Sequence, residues 1–453
     1  MTNKPKTAML NSQQFKLIGK EGLGNPRSRV AQSMAYFQDA LYVGVTHPRG
    51  AGPEDRARIL RYDPLQGVWS TVFVSPLTAP DSRVFAQDVL RHRAPRQNSA
   101  SAVPRYRGFR GMTVFQGRSD PAPALYVSTI CHWGVDLLRS LDGEYFEAVP
   151  LTGLDNGCLL SFRALLGHGR KLFIAPTGAV DEQEFDHYFS GDPTVYVTDD
   201  PLNGVWQPAM EPGFGDPANR TITSLASFAN QVYAATGNPE RGFQLWKTNA
   251  RGKPPYRWQP VLRDGAGRYN LNALAPALTV FQGALYIATG LPGLGYDSAN
   301  NVGPAAAELL RVYSDDRWEL VVGEPRFSPT GLKVPFAVRG PGFDDFYNSV
   351  FWCMVAHDDC LYVGTFHWEP FECVLMGQPL QGGFQLWASE DGDQWQAVAA
   401  AGFGDPFHAG VRTLLSTPIG LFMGSSQEIA RRRQRQGTSR VVSGDGCAVW
   451  LGA

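Results

Sequence analysis

The sequence predicts an all-β chain folded as a seven-bladed β-propeller of four-stranded antiparallel blades. The first observation behind this is a repeat: one segment recurs seven times along 453 residues. It reads hydrophobic-x-x-F-x-x-L-Y-V-G-T, then L-x-R/K-S-x-D-G-x-W-x-x-V, and often G-F-G-D-P. Clear copies are Met34 to Val45 with Ile59 to Trp69, Leu225 to Gly237 with Phe243 to Thr248, and Met354 to Thr365 with Phe384 to Val398. One such unit cannot bury both faces of a small sheet alone, so units must stack. The second observation is composition: Gly 49, Pro 33, 12% aromatic and only 18% charged residues describe short strands joined by tight turns. The third is that the two ends of the chain complement each other.

The elements follow in order. Second strands (b) of the blades begin at Leu41, Leu125, Leu172, Val232, Leu285, Leu361 and Leu421. Inner strands (a) precede them, with Met34, Met112, Leu165, Leu225, Leu278, Met354 and Leu414 at equivalent places. Strands c and d follow, as in Leu137 to Val149, Val195 to Trp206 and Leu309 to Val322, where Asp-Gly and Asn-Gly supply the positive φ of tight hairpins. The last blade stops after a strand c in Gly446 to Ala453. Residues 13–26 read as the missing strand d, so an N-terminal strand completes the C-terminal blade and closes the ring. Residues 1–453 are therefore expected to form a single domain.

Five connections are longer than closure requires: 76–108, 180–193, 291–306, 326–347 and 367–382. Each is a d–a or b–c connection, so all are expected to project from one face, and long loops of this kind tend to carry function. G-F-G-D-P recurs at blade junctions (Pro212 to Arg220, Ala401 to Gly410) and reads as turn capping.

Two layers of side chains are expected near that face. Two residues before each strand-a Met or Leu lie Gln32, Arg110, Arg163, Thr223, Pro276, Trp352 and Arg412. Arg110, Arg163 and Arg412 suit an anion or a developing negative charge, because guanidinium offers paired N–H donors. The alternative is that they pair with carbonyls between blades. The ends of strand b supply His47, His132, Asn238 and His367, with Trp133 and Trp368 beside them. His47, His132 and His367 either serve acid/base chemistry or converge on a metal, since neutral imidazole binds Zn, Fe or Cu. The set has no matching carboxylate, so no catalytic metal is expected, while a structural cation is allowed for. No nucleotide, zinc-protease or serine-hydrolase motif appears and no cofactor is predicted.

Net charge of -1 gives no reason to expect nucleic acid as a partner. No apolar run is long enough for a signal peptide or a membrane span, and six scattered cysteines without a CxxC pair read as reduced thiols. A cytoplasmic monomer that takes a small-molecule substrate is expected.

Asn300 to Pro335, followed by Gly340 to Trp368, resembles a bacterial family of propeller proteins found around natural-product pathways. It is similar to the propeller portion of the cylindrocyclophane-forming alkylating enzymes. The resemblance implies a propeller over nearly the whole chain and the alkylation or cyclisation of an aromatic or lipid-like substrate, with Tyr347 and an arginine as counterparts by type. Those enzymes carry a calcium-binding domain before the propeller, and this sequence holds no calcium repeats. Three functional readings thus stand together. One is a C–C or C–O bond-forming enzyme using His47, His367, Tyr347, Arg110, Arg163 and Arg412, with Gln32, His132, Trp133, Trp352, Trp368 and Asn238 around the substrate. The second is a non-catalytic propeller that binds a glycan, peptide or protein. The third is a metal-dependent oxygenase or hydrolase.

Overall fold

The computed structural model describes residues 9–47, 52–78, 102–131, 134–154, 159–179, 193–298, 300–427 and 445–453. His132, Trp133 and most of the insertions 76–108 and 180–193 lie outside them. The chain groups into two compact units. One comprises Met1–Ala31, Thr223–Ala250 and Trp258–Ala453, the other Gln32–Ile222 and Arg251–Arg257.

The fold is all-β, a succession of four-stranded antiparallel meanders. The second unit holds three. Meander 1 is Val30–Phe37, Ala40–Thr46, Arg58–Asp63 and Val68–Val74, with the first two residues counted in the other unit. Meander 2 is Gly108–Phe115, Ala124–Ile130, Leu137–Ser140 and Glu147–Val149. Meander 3 is Leu159–His168, Lys171–Ala179, Tyr196–Thr198 and Gln207–Pro208. The first unit holds the others. Meander 4 is Thr221–Phe228, its first two residues counted in the second unit, with Gln231–Gly237, Leu245–Thr248 and Gln259–Leu262, and meander 5 is Leu274–Phe281, Ala284–Gly290, Leu309–Val312 and Trp318–Val322. Meander 6 is Asn348–His357, Cys360–His367, Leu386–Ser389 and Gln396–Ala399. Meander 7 is Gly410–Thr417, Gly420–Ser426 and Val449–Gly452, and its fourth strand is the N-terminal Phe15–Gly19. Phe15 stands opposite Gly452 and Leu17 opposite Trp450. Of the expected 13–26 segment, only these five residues are strand; Gly22 and Leu23 form a left-handed turn.

Each L-Y-V-G strand is buried along its length, which is why these runs are continuously apolar instead of alternating. Cores form between consecutive meanders: Tyr233 and Ala235 with Leu285 and Ile287, then Tyr286 and Leu309 with Phe351 and Val363, then Tyr362 and Leu386 with Val411 and Met423. Tyr42 and Ile59 with Phe109 and Val127 do the same in the second unit. Each such side chain contributes about 1.5–3 kcal/mol through burial. Glycine is needed in this strand because a Cβ at Gly364 would lie 2.5 Å from Val411 Cβ. The Arg/Lys of the repeat is also structural. Lys247 pairs with Asp316 at 2.5 Å and Arg311 with Asp393 at 2.7 Å, each reaching the next meander.

The G-F-G-D-P turns hold two successive left-handed residues: Gly213–Phe214, Gly265–Ala266, Gly342–Phe343 and Gly402–Phe403. An asparagine a few residues on closes three of them, as Asn219, Asn272 and Asn348 donate to the carbonyls of Gly213, Gly265 and Gly342. Insertion 326–347 runs partly along the outer strand of meander 5. After the hairpin Arg326–Ser328/Gly331–Lys333, the backbone N–H groups of Phe336 and Ala337 donate to Leu320 and Val321. Half of this insertion therefore covers an open strand edge. No helix among the described residues is long and apolar enough to cross a membrane.

Candidate acid/base site

Five positions of the inner-strand layer fall at β-bulges. The pairing register shifts between Phe109 and Gly111, Phe162 and Ala164, Leu274 and Ala277, Phe351 and Cys353, and Val411 and Thr413. Arg110, Arg163, Trp352 and Arg412 are the extra residues, and Pro276 falls in the same gap. A bulge leaves its extra residue out of the ladder and re-aims the side chain, which is why this one position varies so widely in chemistry. In the second unit Arg163 Nη2 meets Thr177 Oγ1 at 3.5 Å, and Gln32 is buried. In the first unit the bulges of meanders 6 and 7 bring Trp352 and Arg412 together, the guanidinium carbon standing 5.1 Å from the ring centroid. Trp352 leans on Phe366 at 4.7 Å.

The strand-b ends are joints between meanders. Backbone N–H groups of His47, Cys131, Asn238, Leu291, His367 and Gln427 donate to Arg107, Leu160, Ala273, Ser349, Ala409 and Arg29. His47 is buried at such a joint. Asn238 has its side-chain oxygen committed to the N–H groups of Glu240 and Arg241, so its local task is capping a turn. His367 differs from these.

Around His367 the chain collects polar groups from three places. Asn348 opens strand a of meander 6; its amide nitrogen donates to Gly342 O and to Gln385 Oε1, leaving Oδ1 to accept from His367 Nδ1 at 3.1 Å. His367 Nε2 faces Glu369 Oε2 at 3.1 Å. Glu369 and Glu372 lie in the first turn of α1 (Glu369–Met376), which starts after Trp368 with Pro370 near its N-terminus. The Tyr347 phenol donates to Glu372 Oε2 at 2.7 Å. That hydrogen bond, then partial burial and the charges of Glu372 and Glu369, push the Tyr347 phenol up to about 12. Asp345 adds a third carboxylate, 3.8 Å from His367 Nδ1 and bonded by Gln385 Nε2 at 2.6 Å. Gly382 closes over the pair: a Cβ there would sit 2.5 Å from His367 Nε2.

Aromatic rings flank these groups. Trp368 packs 4.7 Å from the Tyr347 ring, and Phe346, about half exposed, lies 5.6 Å from Trp368. Among the described residues the indole Nε1 of Trp368 and the hydroxyl of Ser349 are buried without a protein partner, and both side chains lie against Gly295 of insertion 291–306. Tyr347, His367 and Trp368 are thus the predicted residues that the structure assembles. Glu369, Glu372, Asp345, Asn348 and Gln385 were not singled out by sequence. The available signal was E-P-F-E, two glutamates three apart with a proline between them, which is one face of a first helical turn.

His367 has both ring nitrogens occupied by Asn348 and Glu369, and among the described residues no group of three or more His, Cys, Asp or Glu is placed to hold a metal ion.

No protein-family model matches the chain, and no curated protein does. Among solved structures the chain is similar to the GH74 xyloglucanase of Xanthomonas campestris, at 14% identity over 91% of this chain and 54% of that one, TM-score 0.47. It is similar to an ancestral GH74 enzyme at 13% identity, 93% and 45% coverage and TM-score 0.48. A third is the GH93 α-L-arabinofuranosidase of Fusarium graminearum in complex with arabinobiose, at 10% identity, 79% and 93% coverage and TM-score 0.40. The chain spans about half the length of the two GH74 enzymes. Likenesses of this size assign neither a family nor a substrate.

Proposed function

We propose that the protein is a small-molecule enzyme whose proton transfers run through Tyr347, Glu372 and the His367–Glu369 pair. The observation that carries this reading is the 2.7 Å bond from the Tyr347 phenol to Glu372, set beside exposed aromatic surface. With its one proton directed at Glu372, the phenol oxygen accepts from a substrate hydroxyl, and it donates to a substrate oxygen only by turning away from Glu372. Its carboxylate partner takes the proton when the phenol or a bound hydroxyl attacks. The His367–Glu369 pair fixes the second acid/base position. Three carboxylates at one place favour a neutral or cationic substrate there, and the aromatic walls favour a ring-bearing, hydroxylated one. The donors of Trp368 and Ser349 suit a substrate oxygen. Alkylation or cyclisation of a phenolic substrate is the finer reading, since it needs a phenol deprotonated next to an acceptor such as Glu372. Arg412, stacked on Trp352, is retained in it as a cation that stabilises a developing anion, while Arg110 and Arg163 belong to the second unit and are given no part in it.

A seven-bladed ring closed by its termini is the proposed frame, supported by the pairing of Phe15–Gly19 with Val449–Gly452. Binding of a glycan without turnover is the second reading, favoured by the exposed Phe346 beside Trp368. The test offers wild type, Tyr347→Phe and Glu372→Gln two sets of substrates: phenolic glycosides, and resorcinols with a secondary alkyl halide. Products are followed by mass spectrometry. Turnover lost by about a hundredfold or more in both variants, with unchanged folding, supports catalysis. Binding without product in all three proteins favours the second reading.

A further inference from the structure

Meanders 6 and 7 carry the same polar cluster at the same place, and in meander 7 one member is missing. In meander 6 the turn Gly342–Phe343, Asp345, Asn348, Gln385 and Trp387 pack together, with Phe343 stacked on Trp387 at 4.4 Å. In meander 7 the matching residues are Gly402–Phe403, Asp405, His408, Ala448 and Trp450, with Phe403 and Trp450 at 5.4 Å. The equivalence rests on backbone bonds, not sequence spacing alone. Thr365 N donates to Gln385 O as Ser425 N donates to Ala448 O. Asp345 and Asp405 each accept, through Oδ1, the N–H two residues ahead.

At the end of strand b, imidazole and amide have exchanged places: Asn348 faces His367 in meander 6, while His408 and Gln427 line one space in meander 7. In meander 6 the space is filled by the Gln385 carboxamide. Its oxygen accepts from Trp387 Nε1 and Asn348 Nδ2, and its nitrogen donates to Asp345. Ala448 has no such side chain, and a cavity of about 260 Å³ is left, bounded by Asp405, His408, Gln427, Ala448 and Trp450. Gln427 is 1% exposed. Its oxygen accepts from Gly446 N and Arg29 Nη1, and among the described residues its nitrogen finds no acceptor. Lys20, Glu21 and Asp445 stand at the same cavity.

We propose that this vacated slot binds a small molecule through a primary carboxamide group, which takes the place of the missing glutamine side chain. The carboxamide NH2 donates to Asp405, as Gln385 does to Asp345, and its oxygen accepts from the buried Gln427 amide. A carboxylate fits less well: Asp405 and Asp445 repel it, the cation Lys20 is already paired with Glu21 at 3.1 Å, and a carboxylate brings no donor. The walls formed by Phe403 and Trp450 suit an apolar stem behind the amide. The site is separate from Tyr347 and Glu372 and does not depend on the function proposed for them.

The test is ligand-observed saturation-transfer NMR on the full chain with propionamide, using propionate as the control. A probe this small binds weakly, on the order of millimolar. Saturation transfer to propionamide and not to propionate is expected. Ala448→Gln should abolish it by supplying the plug. Asp405→Asn keeps the turn cap and turns an acceptor into a donor, so it should weaken propionamide by about tenfold and bring propionate into the slot. No transfer in wild type overturns the proposal, as does equal transfer to both probes. So does binding that neither substitution alters, which would mean a solvent-filled crevice.

Discussion

The Tyr347 hydroxyl donates to Glu372 Oε2 across 2.7 Å, joining the start of strand a in meander 6 to the first turn of α1. The carboxylate stabilises the protonated phenol, so the phenol is pushed up to about 12. Removing the charge in Glu372→Gln should bring it back toward the ordinary tyrosine value of about 10. Ultraviolet titration of wild type, Glu372→Gln and Tyr347→Phe checks this. Burial also raises Tyr233 and Tyr362 to about 12, so wild type should show several late-ionising tyrosines, of which Tyr347→Phe removes one and Glu372→Gln shifts one to lower pH. An unchanged late component in Glu372→Gln would show that the bond does not set the phenol's acidity.

Gln385 ties together Trp387, Asn348 and Asp345, and Asn348 in turn holds His367. Gln385→Ala would open in meander 6 the space that Ala448 leaves in meander 7. It also strands the Trp387 N–H and frees the Asn348 amide, so a loss of about 2–4 kcal/mol is expected. Urea unfolding reads it directly. Unchanged stability would mean that water replaces the side chain without cost, and would weaken the comparison between the two meanders.

The strands were legible because burial on both faces writes an unbroken apolar signal, and Leu41, Leu125 and Leu361 do lie in strand b. Equivalent positions along strand a were legible as a layer, but not its cause. A bulge is a hydrogen-bond event with no residue signature, so Arg110, Trp352 and Arg412 share it while sharing no chemistry. Glu369 and Glu372 escaped because α1 lies in an insertion present in one repeat only, where comparison between blades says nothing. Tyr347 and His367 stood out by residue type, and only the structure joins them to the carboxylates.

Acid should loosen the first unit. Burial holds His357 below its ordinary pKa, with Nδ1 against Ser416 Oγ at 2.9 Å. Burial likewise lowers His408, while Asp405 and Asp445 pull the other way. A depressed folded pKa means that the unfolded chain takes the proton first. The contribution is therefore present above the ordinary histidine value of about 6.5 and lost as pH falls through the folded values. Urea midpoints should be flat above about pH 7 and fall below about 6.5, less steeply in His357→Gln. The same slope in wild type and His357→Gln would remove this histidine from the account.

The N-terminal strand should contribute to stability out of proportion to its length. Phe15 and Leu10 are buried with Leu421, Met423 and Trp450, and Leu10 N donates to the Tyr362 hydroxyl at 3.1 Å. Deleting residues 1–26 removes these side chains and leaves Val449–Gly452 as an unpaired edge, an invitation to aggregation. Phe15→Ala is the milder version, keeping the backbone pairing while emptying the ring's place, and should cost about 3–5 kcal/mol. Thermal unfolding and light scattering of both proteins distinguish the effects. The point variant should melt earlier yet stay monodisperse, and the deletion should do both worse. A deletion protein as soluble and heat-stable as the full chain would show that the terminal strand is an ornament on meander 7, not the element that completes it.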